Sequence, residues 1–317
     1  MKPSLMKPMT STMAIFLLLI FTCCAIAETK ITADSFAEVA PGVFVRFGTH
    51  EEISRTTVPA IANHGFVVGE NSVAIIDPGG SLHTAQSTLE VIDRLIGLPV
   101  SHVIVTHMHP DHSLGLLAYS KVDELIILGH AELTNSLLAN LEFFAEHFVT
   151  SENTAQLDAL LRALRIQSID ANHDIDLGNR PLLLTSFDSA HSTSDITVLD
   201  ETHKLLWAGD LLFVERLPVV SGSLPGWVAA LERIDNMDIS TVIPGHGSSG
   251  PWHSLVKPQR KYLSDLLEDT RTAIADGQSL HDYIKAAADS SNDNQWQLFG
   301  SQHKTNLTRA YIELEWE

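Results

Sequence analysis

The chain has 317 residues, of which 44% are hydrophobic, so it is long enough to bury one substantial core in a single large domain. Its formal net charge is −19, with 20 basic against 39 acidic residues. This acidic balance argues against nucleic acid or an anionic membrane surface as a partner. A small-molecule substrate remains compatible with it.

The first 27 residues are typical of a secretory signal peptide. Two lysines precede an apolar run over residues 14–21, which is too short to cross a bilayer comfortably, and a small-x-small site follows at residues 25–27. We therefore expect cleavage after Ala27, a periplasmic or secreted mature protein, and no membrane contact once the segment is removed.

The two cysteines of the chain, Cys23 and Cys24, both lie within that segment. The mature protein is therefore expected to contain neither a disulfide nor a thiolate ligand. A lipoprotein anchored through one of these cysteines is the alternative.

After this segment, the pattern predicts strands followed by helices. The expected strands are residues 41–48, 65–68, 73–77, 100–106 and 125–128, and the expected helices are residues 84–96, 132–148 and 155–164.

The second half of the chain is strand-rich up to residue 250 and helical beyond it. Strands are predicted over residues 182–187, 196–199, 205–208 and 241–243, and helices over residues 255–275, 280–288 and 304–314. We interpret residues 28–250 as one layered α/β domain. Residues 251–317 are too few for a robust core of their own, so we expect a helical extension packed on that domain.

Residues 106–112 read Thr-His-Met-His-Pro-Asp-His, a dense cluster of metal-ligand types. His107 and His109 alternate along the chain, so both imidazole rings can face one cation. Asp111 and His112 follow one step later and can face a second cation nearby.

Two metal ions need more ligands than one loop supplies. His191, Asp210 and His246 each follow a short apolar segment. Loops beyond the ends of strands are where ligands converge in layered α/β proteins, because the sheet fixes their positions. These three residues are therefore the remaining candidates.

With Asp77, these blocks occur in the order found in metallo-β-lactamase-fold hydrolases, which the chain resembles over about residues 40–250. The resemblance implies a four-layer αββα sandwich and a metal-dependent hydrolase. It assigns His107, His109 and His191 to one metal ion, assigns Asp111, His112 and His246 to a second, and makes Asp210 the bridging ligand. Asp77 is expected beside the site as a group that orients ligands.

Asp210 and the lack of a cysteine ligand resemble glyoxalase-II-like thioesterases more than β-lactamases. The segment from Gly222 to Leu231 and the Pro-Gly-His-Gly sequence at residues 244–247 are similar to exported zinc metallohydrolases of quinoprotein relay systems. A periplasmic quinoprotein dehydrogenase is thus a possible partner.

The expected activity is hydrolysis of an ester, thioester or lactone by hydroxide generated at two zinc ions, with Asp111 as the catalytic carboxylate and Asp210 as the alternative. Iron or manganese would also suit these ligands. The alternatives are a β-lactamase-type amide hydrolase, a metal-binding accessory protein of a quinoprotein dehydrogenase, and redox chemistry at a di-iron centre.

Three other parts of the sequence are open to two interpretations. His64 and Trp227 could contribute to the substrate pocket or pack in the core, and a helix around residues 142–147 could cover the site.

Overall fold

The computed structural model describes residues 35–119, 124–149, 154–290 and 296–317. The signal peptide and cleavage site predicted for residues 1–27 lie outside the described residues. Within the described ranges, no helix has both the length and the apolar character needed to cross a membrane.

The first sheet contains, in the described part of the chain, strands that lie side by side in chain order. They are β1 (Ala37–Ala40), β2 (Val43–Arg46), β3 (His64–Val68), β4 (Val73–Ile76), β5 (Val100–Val105), β6 (Ile126–His130) and β7 (Ile166–Ile169). Strands β1 to β4 pair antiparallel, whereas β4 to β7 pair parallel. The parallel half carries β5, which leads into the predicted metal loop.

The second sheet is antiparallel apart from the pairing of β11 with β12. Its described strands are β8 (Asn172–Asp176), β9 (Pro181–Phe187), β10 (Asp195–Asp200), β11 (Leu205–Phe213), β12 (Thr241–His246) and β13 (Gly250–Pro251). The parallel pair is joined through a helix over Leu224–Asp235, because such a crossover cannot be made by a tight turn.

Helices connect the strands and follow the second sheet. They are α1 (Leu82–Leu95), α2 (Pro110–Ser113), α3 (Leu133–Ala139), α4 (Leu141–His147), α5 (Thr154–Ala163), α6 (Leu224–Asp235), α7 (Trp252–Ala275), α8 (Leu280–Ser290) and α9 (Phe299–Leu314). A 3₁₀ helix, Leu114–Tyr119, continues from α2.

Three hydrophobic clusters show how these elements form layers. One cluster joins the facing sides of the two sheets, for example through Ile104 and Trp207. A second packs α1, α3, α4 and α5 on the outer side of the first sheet, and a third packs α6, α7 and α9 on the outer side of the second. The layers are therefore helix, sheet, sheet and helix, as predicted, and the C-terminal helices complete the last layer.

The observed elements differ from the predicted ones at several places. The single helix expected over residues 132–148 is two helices, α3 and α4, which meet at Asn140 with non-helical backbone angles of φ −102° and ψ 7°. Strands β1, β7, β8 and β13 were not predicted. The sequence of β8, Asn-His-Asp-Ile-Asp, has a single apolar residue because β8 is an edge strand with a largely exposed surface.

Candidate metal centre

The residues predicted as ligands come from separate elements and converge at one end of the two sheets. They are His107 and His109 after β5, Asp111 and His112 in α2, His191 after β9, Asp210 in β11, and His246 at the end of β12. Except for His109, each is no more than 5% exposed. The structure therefore brings together every side chain that the sequence selected.

A short helix separates the two halves of the His-rich motif. Pro110 occupies the first position of α2, where its fixed φ angle suits a helix start and its missing N–H removes no hydrogen bond. His109 precedes it with extended backbone angles of φ −61° and ψ 147°. The change from extended to helical backbone turns Asp111 and His112 towards a different position from His107 and His109.

The position of Asp210 differs from the expectation that it follows the end of a strand. It lies inside β11, because the strand runs five residues beyond the predicted residue 208. Gly209 has a φ of +52°, and the pairing register with β12 shifts on both sides of it. A β-bulge re-aims the side chain that follows it. The backbone irregularity at Gly209 is what turns Asp210 into the cluster.

The first group of side chains is centred on His109 Nδ1. His107 Nε2 lies 3.0 Å from it and His191 Nε2 lies 2.9 Å from it. Asp210 Oδ2 is 3.6 Å from His107 Nε2 and 3.3 Å from His191 Nε2. Three ring nitrogens and a carboxylate oxygen thus enclose one small space.

The second group consists of Asp111, His112 and His246. Asp111 Oδ2 lies 3.8 Å from His112 Nε2 and 3.4 Å from His246 Nε2. The other oxygen of Asp210, Oδ1, is 3.1 Å from His112 Nε2 and 3.4 Å from His246 Nε2. Asp210 therefore faces both groups, one carboxylate oxygen towards each.

Asp77 fixes two of the imidazole rings from behind. Its carboxylate accepts hydrogen bonds from the backbone N–H and hydroxyl of Thr106, at 2.7 and 2.8 Å, and pairs with His112 Nδ1 at 2.7 Å. Because the Thr106 hydroxyl donates to Asp77, it can only accept from His107 Nδ1, which is 3.0 Å away. Both rings then donate through Nδ1 and turn Nε2 inwards, the nitrogen that would bind a cation.

The same reasoning applies to His246. Its Nδ1 lies 2.7 Å from the carbonyl oxygen of Ile61, which accepts hydrogen bonds and never donates. Nδ1 therefore donates to this carbonyl, and Nε2 again faces the cluster. His109 is held from its outer nitrogen instead, where Nε2 lies 3.1 Å from the Ser221 hydroxyl.

The ring nitrogens and carboxylate oxygens that face inwards show whether metal ions fit. His112 Nε2 and Asp210 Oδ1 are buried and face each other at 3.1 Å, yet neither makes a hydrogen bond. Buried polar atoms without partners are costly, and several converging lone pairs repel one another. A cation at each group removes both penalties. The residues present thus suit metal ions, and their role as ligands stays a prediction.

The ionisation of the carboxylates also suits cation binding. Burial alone would raise the pKa of Asp111, but the charges of His112 and His246 outweigh burial and lower it to about 2. Burial likewise opposes ionisation of Asp210, and the charges of His246, His112 and His107 hold its pKa well below the usual value. Burial lowers the pKa of His191 to about 3, which keeps that ring neutral.

A family comparison agrees with this geometry. The family described as the metallo-beta-lactamase superfamily matches residues 58–246, more than half of the chain, and the matched segment contains every residue of both groups. The chain belongs to the metallo-beta-lactamase superfamily. It is therefore a hydrolase of this superfamily with a His/Asp cluster that could bind metal ions.

Solved structures share the superfamily fold at low sequence identity. A metallo-beta-lactamase from Pontibacter korlensis is 16% identical, with a TM-score of 0.58 over 73% of this chain and 98% of that one. TMB-1 is also 16% identical, with a TM-score of 0.56 over 73% of this chain and 96% of that one. The inverting sec-alkylsulfatase Pisa1 from Pseudomonas sp. is 13% identical, with a TM-score of 0.66 over 88% of this chain and 50% of that one. These likenesses establish the fold.

A cleft of about 290 Å³ opens onto the metal-ligand residues of this superfamily member. Its apolar lining comes from α4 and its flank, the loop before β3, the His-rich loop, the end of β11 and the segment after β11; these residues are Ile53, Met108, Phe143, Phe144, Phe148, Phe213 and Val219. Its volume lies at the small end of the range for ligand pockets. The cleft therefore suits a small, partly apolar molecule.

The rim of the cleft is linked by hydrogen bonds from the loop before β3. Glu52 accepts hydrogen bonds from Ser301 and Gln302 of α9, the latter at 2.9 Å. Arg55 donates to the carbonyl oxygens of Glu146 and His147 at the end of α4. One loop thus ties together the two helices that flank the cleft.

The structure also decides the open interpretations. His64 is 1% exposed, packs edge-on against Phe36 and does not line the cleft. Trp227 is completely buried behind His191, with ring centroids 5.0 Å apart, so it supports a ligand and forms no lip. The helix around residues 142–147 does border the cleft, through Phe143 and Phe144.

Sequence reasoning missed several residues that matter at the site, namely Ile61, Thr106, Ser221 and Arg309. Ile61 acts through its carbonyl oxygen, which no sequence pattern reveals. Thr106 adjoins the His-rich motif and could have been found there. Ser221 and Arg309 lie in segments whose position depends on how the C-terminal helices pack.

Proposed function

We propose that this protein hydrolyses an ester, thioester or lactone bond at a centre of two zinc ions. The observation that supports it best is the position of Asp210, with one oxygen towards each of two groups of ring nitrogens. His107, His109 and His191 would hold one ion, Asp111, His112 and His246 the other, and Asp210 both. Nitrogen and carboxylate ligands without sulfur also suit iron and manganese, so zinc is part of the proposal.

Bound at these positions, the ions supply Lewis acidity and an activated water. The protein contributes a scaffold of prearranged ligands. Because Asp77, Thr106 and the Ile61 carbonyl fix the outer ring nitrogens, the inner nitrogens need no reorganisation during the reaction.

Asp111 is the proposed catalytic carboxylate. It lines the cleft, and its Oδ2 faces His112 and His246, while Oδ1 makes no hydrogen bond with any described residue. An ionised carboxylate in this place can accept a proton from the attacking water and pass it to the departing oxygen or sulfur. The bond between the acyl carbon and the leaving group breaks. The acyl carbon gains the hydroxyl, and the products are a carboxylic acid and an alcohol or thiol.

The substrate part of the proposal rests on the ligand set. An aspartate at position 210 and the absence of a cysteine from the described residues resemble glyoxalase-II-like enzymes. The two β-lactamase-like structures share only the fold with this chain, so they do not decide the substrate.

A panel of substrates tests this proposal. Zinc-loaded protein should hydrolyse thioesters or activated esters with kcat/KM within the usual enzyme range of about 10⁴–10⁸ M⁻¹s⁻¹, and penicillins and carbapenems more slowly. Protein stripped of metal and then reloaded is the matched control. Turnover of β-lactams at about 10⁵ M⁻¹s⁻¹ or more, without turnover of thioesters, would overturn the substrate class. No turnover of any substrate by protein carrying both ions would favour an accessory role for a quinoprotein dehydrogenase.

Alkyl sulfates belong in the same panel for a specific reason. The match to the alkylsulfatase covers 88% of this chain, and residues 1–250 amount to about 79% of it, so the match has to include part of the C-terminal helices. Those helices contribute Gln302 and Arg309 to the cleft. Sulfate release from an alkyl sulfate, at a rate above that from carboxylic esters, would select this second function.

Export to the periplasm and work beside a quinoprotein are further parts of the proposal. They are supported by the basic and apolar pattern of residues 1–27 and by the resemblance of residues 222–247. Fractionation of cells that express the full chain should give the protein in the periplasmic fraction, shortened by 27 residues as judged by mass. A full-length cytoplasmic product would contradict it.

A further inference from the structure

Arg309 is a charged residue of the cleft that the proposed hydrolysis does not use. It lies on α9, outside the segment that matches the superfamily, and it lines the cleft together with His109 and Ser221. Its Nη1 donates to the carbonyl oxygen of Val220. Within the described ranges, no carboxylate lies within 4.0 Å of its guanidinium, and Nε and Nη2 have no hydrogen-bond partner.

The free part of this guanidinium has the geometry that carboxylates bind. Arginine presents N–H donors in a planar fork, and one edge can pair with both oxygens of a carboxylate. The Nη1 bond to Val220 holds the side chain in place and leaves the edge formed by Nε and Nη2 for another partner. An arginine held this way is prepared for an anionic ligand.

Several other arginines of the described chain form ion pairs with carboxylates. Arg180 lies 2.6 Å from Asp200, Arg260 lies 2.6 Å from Asp235, and Arg271 is bonded to Glu317 through two nitrogens at 3.0 Å. The chain has about twice as many acidic as basic residues. Arg55 and Arg233 bond to backbone carbonyl oxygens instead. Arg309 differs from them because it lines the cleft, where a ligand can supply the missing carboxylate.

The same cleft has an apolar side. Phe143 is 51% exposed, whereas Leu141 and Phe144 on the same helix are buried. Its ring lies 5.7 Å from that of Phe148, which also lines the cleft. Exposed aromatic rings grouped in a cleft are typical of a binding surface for an apolar group. The ligand is thus expected to have an apolar part and an anionic part.

The net charge of −19 limits how much negative charge that ligand carries. A strongly acidic protein repels polyanions, including substrates with several phosphate groups. Two arginines line the cleft, but Arg216 is 4% exposed and its Nη1 lies 3.3 Å from His246 Nδ1, so Arg309 is the arginine left for a ligand. Together with two metal ions and an apolar wall, Arg309 is best matched by a single carboxylate on a largely apolar molecule.

We propose that Arg309 binds a carboxylate on the substrate, so that the protein hydrolyses esters or thioesters that combine an apolar group with one carboxylate. This inference rests on the proposed hydrolase function and narrows its substrate class. Arg309 is then a specificity-determining residue contributed by the C-terminal helices, which the superfamily match does not include.

A purely structural role for Arg309 makes a different prediction. Its bond to Val220 helps α9 hold the segment that carries Ser221, and Ser221 contacts the outer nitrogen of His109. Asn306 holds the same segment independently, because it accepts from Val220 N at 2.9 Å and donates to the Pro218 carbonyl at 2.7 Å. Loss of a structural arginine would slow every substrate, whereas loss of a carboxylate-binding arginine affects carboxylated substrates alone.

Two esters that differ only in charge distinguish these roles. The 4-nitrophenyl monoester of adipic acid has a free carboxylate. In the mixed methyl 4-nitrophenyl diester, a methyl ester replaces that carboxylate and the end is neutral. Both esters release 4-nitrophenolate. In Arg309→Gln, KM for the carboxylated ester should rise about tenfold or more, the size expected for loss of a charge-assisted hydrogen bond. Its kcat, and both constants for the neutral ester, should stay within about twofold. Arg309→Lys should restore part of the loss.

Arg271→Gln is the matched control, because it removes an arginine of α7 that pairs with Glu317 and does not line the cleft. It should leave both esters unchanged. Calorimetric titration with 6-phenylhexanoate should show at least tenfold weaker binding to Arg309→Gln than to the unaltered protein, whether or not either ester is hydrolysed.

The outcomes separate this inference from the hydrolase proposal. Equal losses on both esters, or unchanged constants on both, would overturn the role of Arg309 while leaving the hydrolase proposal intact. No hydrolysis of these esters, of thioesters or of lactones by metal-loaded protein would refute the hydrolase proposal, and the titration would still test Arg309. A preference for a coenzyme A thioester over a simple carboxylated thioester would contradict the limit to one negative charge.

Discussion

Two regions of the cleft are built in opposite ways. The metal-ligand cluster is formed by His107, His109, Asp111, His112, His191, Asp210 and His246, and the cleft wall by Ile53, Phe143, Phe144, Phe148, Val219 and Arg309. The cluster is largely buried, and most of its outer ring nitrogens are bonded to neighbouring groups. The wall has exposed side chains, such as Phe143, and a guanidinium edge without a partner.

This difference indicates a division of roles. A buried network with satisfied outer contacts keeps its geometry without a substrate, which is what the chemistry requires. Exposed apolar groups and an open guanidinium edge gain partners only when a ligand arrives. We therefore expect changes in the cluster to remove activity towards every substrate, and changes in the wall to alter which substrates are used.

Asp210→Ala should have the largest effect. Removing the carboxylate that faces both groups leaves the ring nitrogens of the two groups without a shared anion between them. We expect fewer than two metal ions per chain after dialysis, measured by elemental analysis, and hydrolysis of every substrate reduced beyond the 10–100-fold typical of outer partners. Full retention of both ions would contradict the bridging assignment.

Asp77→Asn should have the second-largest effect. The amide keeps the shape of the side chain but offers one acceptor oxygen where the carboxylate serves Thr106 and His112 together. Metal affinity should fall about 10–100-fold, measured by competition with a chelator, and saturating zinc should recover most of the activity. A loss as complete as that of Asp210→Ala would mean that Asp77 is itself a ligand.

Phe143→Ala should have a smaller effect, limited to substrates with an apolar group. Loss of contact with a half-exposed ring is worth about 1 kcal/mol by buried area, so kcat/KM for a phenyl-substituted ester should fall about fivefold. The acetate ester of the same alcohol should react as before. Trp316→Ala, at a ring that is 85% exposed and outside the cleft, is the control. Equal losses on both esters would instead mean that Phe143 helps to hold the metal-ligand cluster in place.

The smallest effect concerns pH and the packing beside the cluster. Burial, aided by the charge of Arg46, lowers the pKa of His64 from 6.5 to about 3. Since the folded-state pKa is below the unfolded value, neutral His64 stabilises the fold above pH 6.5, and this contribution falls as pH decreases from 6.5 towards 3.

Metal-free protein should therefore have a lower Tm at pH 5 than at pH 7.5, and His64→Gln should reduce that difference. An unchanged pH dependence in the variant would show that His64 does not contribute to it.

The two regions also differed in how well they could be predicted. The cluster was predictable because its residue types are rare and closely spaced, as in residues 106–112, or follow apolar strands, as His191 and His246 do. The location of Asp210 inside β11 was not, because it depends on the positive φ of Gly209.

The wall was only partly predictable, since the sequence offered the helix around residues 142–147 as one candidate cover for the site. Phe143 and Phe148 look like ordinary core residues in the sequence, and a helix was expected to run unbroken where Asn140 interrupts it. Arg309 lies more than sixty residues after the last ligand and reaches the cleft through the packing of α9 against α7 and the second sheet. Such tertiary contacts leave no local pattern.

The metal content of active protein tests the central claim most directly. The mature protein, purified without chelators and dialysed gently, should contain about two transition-metal ions per chain, chiefly zinc, and its activity should fall and recover as the ions are removed and restored. Active protein with a reproducible metal content near zero would contradict the account.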